Sequence, residues 1–141
     1  MQNAQSPSRM ESKVTIERLN EISRAVIGAA IEVHKTLGPG LIESVYEECL
    51  KKELELSGIH YQSQVTFPLL YKGMDTGKMF RIDLLVDNEV VVELKAVDEL
   101  TKLNEVQLVT YLKLLDKRLG LLINFNEVRL IDGVRRKVNN L

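Results

Sequence analysis

Residues 83–95 read DLLVDNEVVVELK, a pair of apolar runs that carry Asp83 near the start and Glu93 and Lys95 near the end. Ionisable groups set among Leu and Val are costly to bury unless something pairs with them. In a strand, residues two apart share a face, so Glu93 and Lys95 project together while Val92 and Leu94 face the other way. If the connecting loop is Asp87, Asn88 and Glu89, Val86 pairs with Val90 and Asp83 stands opposite Glu93; a two-residue loop would offset them. Two neighbouring carboxylates need a cation between them or a shared proton. Oxygen-only ligands favour Mg²⁺ or Mn²⁺ over zinc. Such a cation activates a bound water and stabilises charge on a phosphoryl oxygen, and Lys95 could hold the attacking hydroxide or the phosphate. The plain alternative is a solvated strand face with a weak ion pair, Asp83 merely ending a strand.

The elements that must position these groups are legible as changes of periodicity. Residues 1–13 are polar and aperiodic and read as a loose leader, with one domain over 14–141. From Ile16, the recurrence of Leu19, Ile22, Val26, Ala29 or Ala30, Val33 and Leu37 predicts a helix that LGPG ends. A second helix is expected over 42–57, with Val45, Cys49 and Leu56 as its core stripe, Tyr46, Leu50 and Leu54 beside it, and Gly58 as its stop. Segments 64–71, 79–86 and 89–97 read as strands of a meander separated by KGMDTGK and DNE, with Pro68 at an edge or a bulge. A third helix over 104–117 opens on NEVQ, and Val106, Thr110, Leu114 and Leu103 supply its expected inner face. LGLLINF at 119–125 reads as a buried strand, and the tail EVRLIDGVRRKV as a hairpin turning at Asp132 and Gly133. The order ααβββαβ plus a terminal hairpin favours an α/β sandwich over a helix bundle.

Composition narrows the function classes. The 141 residues are 45% apolar and 28% charged with a formal net charge of -1, which suits one globular domain and leaves any nucleic-acid site to a local patch. The one cysteine, Cys49, falls on an apolar stripe and fits a reducing compartment, and no run approaches a membrane span, so the cytoplasm is the expected location. His34 and His60 have no second ligand at metal spacing and read as structural or exposed. No phosphate-cradling glycine motif supports nucleotide hydrolysis or dehydrogenase chemistry. Arg135, Arg136 and Lys137 with Arg129, Lys117 and Arg118 form either a basic rim for a phosphate backbone or a solvated face.

GLIESVYEECL places Gly40, Glu43 and Tyr46 in a GxxExxY arrangement, and EVHKTLGPGLIESVYEECL resembles the GxxExxY protein family. FRIDLLVDNEVVVELKAVDEL, QLVTYLK and LGLLINF resemble its later blocks, so the likeness spans roughly residues 17–138. That family is placed in the PD-(D/E)XK nuclease superfamily, whose core is a mixed sheet flanked by helices. The resemblance makes Asp83 the signature aspartate and Glu93 and Lys95 its ExK, with Ile82 where a proline often stands. It makes Gln107 and Tyr111 a QxxxY element supporting the site, and it leaves Asn104 where relatives often carry His. A helical acid commonly joins such a core; Glu43 and Glu47 are both candidates, Glu43 as part of the signature and Glu47 with an exposed pair to Lys51 as its alternative. The resemblance thus implies catalytic Asp83, Glu93, Lys95, Glu43, Gln107 and Tyr111, with Asp83, Glu93 and Glu43 on Mg²⁺ or Mn²⁺, in a hydrolase acting on DNA or RNA. Competing readings are a non-catalytic nucleic-acid- or protein-binding module on the same fold, and a homodimer whose interface is the functional part.

Overall fold

The computed structural model describes residues 13–141, so the leader expected over 1–13 lies almost wholly outside the described residues. Helix α1 spans Ile16–Leu37, capped where the Thr15 hydroxyl accepts from the Arg18 amide at 3.0 Å. Its buried residues Leu19, Ile22, Val26, Ala29, Ala30 and Val33 are the expected stripe. Gly38, at φ 74°, ends it.

Helix α2 spans Glu43–Leu56, but its stripe is rotated from the expected one: Tyr46, Leu50 and Leu54 are buried, whereas Val45 and Leu56 are exposed. Tyr46 sets the rotation. Its hydroxyl donates to the Gly38 carbonyl at 2.6 Å and accepts from the Leu41 amide at 3.1 Å, and its ring stacks on Phe125 at 4.6 Å. The Gly-Pro-Gly corner and the tyrosine of the GxxExxY stretch are therefore one structural unit.

Strand β1 covers Tyr61–Tyr71 and β2 covers Met74–Val86. The turn between them is only Lys72 and Gly73, both at positive φ; the rest of KGMDTGK continues β2 instead of forming a loop. β1 is an edge strand, and its register against β2 shifts between Pro68 and Leu70, where a residue with no ladder donor is tolerated. Strand β3, Val90–Lys95, pairs antiparallel with β2 through Val86↔Val90, Leu85↔Val91 and Leu84↔Val92, so the three-residue loop and its register are those expected. Asp87 and Asn88 hold that loop at φ 51° and 59°, values that Asp and Asn tolerate better than most side chains.

Helix α3 spans Lys102–Leu115, with Thr101 and Asn104 bonding each other's backbone amides at 3.1 and 2.9 Å in a capping box. The cap lies three residues earlier than NEVQ suggests. Its inner face is Leu108 and Leu112, while Leu103, Val106, Thr110 and Leu114 are exposed, a second rotation from the expected stripe. Leu108 crosses β4 so closely that a Cβ on Gly120 would meet its Cδ1 at 2.9 Å. Strand β4, Leu119–Asn124, is buried throughout and runs parallel to β3. A 3₁₀ turn over Leu130–Gly133 leads into β5, Val134–Val138, which pairs with β4; residues 127–131 therefore form no strand, unlike the expected tail hairpin.

The sheet order β1-β2-β3-β4-β5 separates two apolar layers. Leu84, Val86, Val90, Val92, Leu94, Leu119, Leu121 and Ile123 pack with α1 and α2, and Leu85, Val91 and Leu122 pack with α3. The β1–β2 arm changes sides: Tyr61, Leu84 and Val86 belong to the first layer, yet Val65, Phe67, Phe80 and Ile82 join the α3 layer. The switch falls at Gln64 and Asp83, between Ser63↔Leu84 and Val65↔Ile82. Gln64 has φ 51°, so the bend is taken up in its backbone. Among the described residues, no helix is long and apolar enough to cross a membrane.

Because the Tyr46 hydroxyl serves two backbone groups, Tyr46→Phe keeps the ring stack but strands both. Urea unfolding is expected to show a loss of about 1–3 kcal/mol.

Candidate active site at the end of strand β3

The ladder between β2 and β3 stops at Leu84↔Val92, and side chains take over from it. The Asp83 amide donates to Glu93 Oε2 at 2.7 Å, and the Leu94 amide donates to Asp83 Oδ2 at 2.8 Å. Each acid thus occupies the backbone position that the other strand leaves open, which fixes both carboxylates side by side. Glu93 is only 9% exposed. Burial, reinforced by the Asp83 charge, pushes its carboxyl up to about 8 despite the amide that favours the ionised form. Lys95, half-buried two residues on, opposes that shift with its ammonium, and among the described residues it enters none of the ion pairs.

Helix α2 brings further acid to this place. Glu43 opens the helix, and its carboxyl is raised by burial and by the charges of Asp83 and Glu47, with Lys95 acting against them. Glu47 is not paired with Lys51, which binds Glu48 at 2.7 Å instead. Both Glu47 oxygens accept from Gln64 Nε2 at 2.9 Å, and the same nitrogen stands 3.4 Å from Asp83 Oδ1. From the other layer, Tyr111 stacks on Phe80 at 5.3 Å, and burial with the charges of Glu93 and Asp83 raises its hydroxyl. Gln107, one turn before it, is exposed and takes no hydrogen bond among the described residues, so the QxxxY pair is only half turned toward the acids.

Asp83, Glu93, Lys95, Glu43 and Tyr111 are therefore gathered electrostatically around Glu93 and Asp83, from the four elements β2, β3, α2 and α3. They are not a preassembled cage: among the described residues, no three His, Cys, Asp or Glu side chains close into a metal-sized group. The donor set nonetheless fits a hard divalent cation. Every donor is oxygen, and Glu93 is a buried carboxylate beside a second one, short of positive charge.

Other candidates are structural. The His34 ring shares a hydrogen bond with the Glu127 carbonyl at 2.7 Å. Asn104 is spent on the α3 cap. The basic rim is largely tied down: Arg135 and Lys137 bind Glu105, Arg136 binds Asn20, Lys117 binds the Asn88 carbonyl, and Arg118 binds the Val14 carbonyl. Two residues that sequence spacing does not reveal matter more. Gln64 joins α2 to the sheet acids, and the fully buried Asn124 clamps the chain after β3 through the Val97 amide and carbonyl at 3.0 and 2.9 Å.

The Glu93 shift carries a signed stability prediction. Between its ordinary value of 4.5 and about 8, the unfolded chain has released the Glu93 proton while the folded chain keeps it. This contribution is complete at acid pH and declines as pH rises to about 8. Urea midpoints in chelator should fall from about pH 5 to about pH 8, and Glu93→Gln should remove most of that slope; a wild type that strengthens over this range contradicts the assignment.

No curated protein and no solved structure matches the chain at a significant level. The family model of the PD-(D/E)XK nuclease superfamily matches residues 20–137, which is most of the chain and includes every acid described above. With its mixed sheet between helical layers and an Asp…Glu-x-Lys set at the end of the central strands, the chain belongs to the PD-(D/E)XK nuclease superfamily.

Proposed function

We propose that the protein is a Mg²⁺- or Mn²⁺-dependent phosphodiesterase acting on DNA or RNA, of the GxxExxY branch of its superfamily. The observation that carries this reading is the reciprocal lock of Asp83 and Glu93, which holds two carboxylates together with Lys95 on the same strand. Asp83 and Glu93, joined by Glu43, would hold the cation. Bound there, it supplies Lewis-acid stabilisation of phosphoryl charge and a water of lowered pKa.

The chain's own groups do the rest. The Leu94 and Asp83 amides keep the two carboxylates aimed, so little reorganisation accompanies the reaction. Lys95 places a point charge where the attacking hydroxide or a phosphate oxygen would sit. The Tyr111 hydroxyl, raised by burial and by the charges of Glu93 and Asp83, stays protonated and would offer a donor to the site, and Gln107 lies one turn away to meet substrate. The cytoplasm suits this chemistry. A second reading, a binding module on the same fold, draws on the exposed Leu70, Tyr71, Met74 and Met79 of the β1–β2 arm, an apolar tip suited to a protein partner.

Cleavage of DNA or RNA should require Mg²⁺ or Mn²⁺ and fall by roughly 10²-fold in Lys95→Ala. Calorimetric Mn²⁺ binding should disappear in Asp83→Asn. Nucleic acid left intact in every form by folded protein with either metal, together with binding that Lys95→Ala leaves unchanged, favours the module instead.

A further inference from the structure

Gln64 stands apart from the signature residues, yet it touches more of the acidic cluster than any of them. Its Nε2 donates to both Glu47 oxygens at 2.9 Å and reaches Asp83 Oδ1 at 3.4 Å. One amide thereby bridges two carboxylates from α2 and β2 that would otherwise repel, using the two protons a carboxamide carries. The backbone beneath it is strained. At φ 51° a residue with a Cβ sits in the left-handed region at a steric cost that glycine would remove. A bend alone would be served better by glycine or asparagine, so the long amide side chain is what glutamine adds at this position.

We propose that Gln64 is a positioning residue of the site: it reaches from the edge strand to hold Glu47 of α2 against Asp83. This deepens the cation reading above and rests on it. Glu43 and Glu47 lie one turn apart on α2, and among the described residues only Glu47 is hydrogen-bonded to the sheet side of the site. Gln64 thus ties Glu47 to the sheet beside Asp83. Glu43, the helix acid that would join the cation, has no such tether among the described residues and is coupled to Asp83 and Glu93 through charge. Asp83 and Glu93 are held by backbone amides independently of Gln64, so its loss weakens the site without dismantling it.

The test compares Mn²⁺ affinity by calorimetry with thermal unfolding in chelator. The proteins are the wild type, Gln64→Gly, Gln64→Asn, Glu47→Gln, the Gln64→Gly/Glu47→Gln double variant, and Asp83→Asn as reference. Gln64→Gly relieves the backbone and should unfold at the wild-type temperature or above, yet bind Mn²⁺ about tenfold more weakly. Gln64→Asn keeps an amide and tolerates the left-handed backbone but is one methylene short. It should bind as weakly as the glycine variant, and it supplies the same comparison should glycine loosen the arm. The double variant should bind no more weakly than either single one, because the two side chains act as a unit. A Gln64→Gly and a Gln64→Asn protein that bind like the wild type, while Asp83→Asn does not bind, overturn the role of Gln64 alone; so do losses that simply add. A wild type that binds no Mn²⁺ overturns the cation reading and this proposal with it.

Discussion

Two hydrogen bonds carry the architecture of the site: the amide of Asp83 to the Glu93 carboxylate, and the amide of Leu94 to the Asp83 carboxylate. They sit where β2 parts from β3, and they replace the ladder bonds that the parting strands can no longer make. Buried amides need acceptors, so the backbone itself demands carboxylates here. The same acceptors bring two negative charges together in a place that burial has stripped of water. The tension between satisfied amides and crowded acids is relieved by a proton on Glu93, by Lys95, or by a cation. The chemistry proposed for this protein would be a by-product of how one strand pair ends.

The surrounding fold brings side chains to that end from both layers. The β1–β2 arm crosses from the α1/α2 layer to the α3 layer at Gln64 and Asp83, so acids reach the site from α2 while Tyr111 reaches it from α3. Asn124, buried at the end of β4, ties down the chain leaving β3 two residues after Lys95. On α2, the Tyr46 hydroxyl grips the Gly-Pro-Gly corner, which settles the rotation of the helix and therefore the side on which Glu43 and Glu47 emerge. The GxxExxY spacing then has a physical sense. The tyrosine orients the helix by its core bond, and the glutamate one turn earlier is carried toward the sheet.

Much of this was legible in the sequence where local rules suffice. The Asp87-Asn88-Glu89 loop fixes the β2–β3 register because Asp and Asn accept the left-handed conformation, and with it comes the opposition of Asp83 to Glu93. Helix α1 reads cleanly because it has a single apolar stripe. Helices α2 and α3 each carry two. On α3, exposed Leu103, Val106 and Leu114 compete in the pattern with buried Leu108 and Leu112, and only tertiary packing against Gly120 decides between them. On α2, the deciding bond is made by a tyrosine to a loop, which periodicity does not register. Gln64 was hidden for another reason. The two-residue turn alone would set it opposite Arg81, but the shift beside Pro68 moves it opposite Asp83. A bulge can be suspected from proline, while its effect on register depends on packing.

Glu93 is a carboxyl forced against a second one, which the proposed function answers with a cation. Carboxyl-carbon NMR of Glu93, titrated in chelator and again at saturating Mg²⁺, tests it most directly. Glu93 should titrate with a midpoint near 8 without cation and well below neutrality with Mg²⁺. A midpoint in the ordinary carboxylate range in chelator, or one that Mg²⁺ leaves in place, would contradict it.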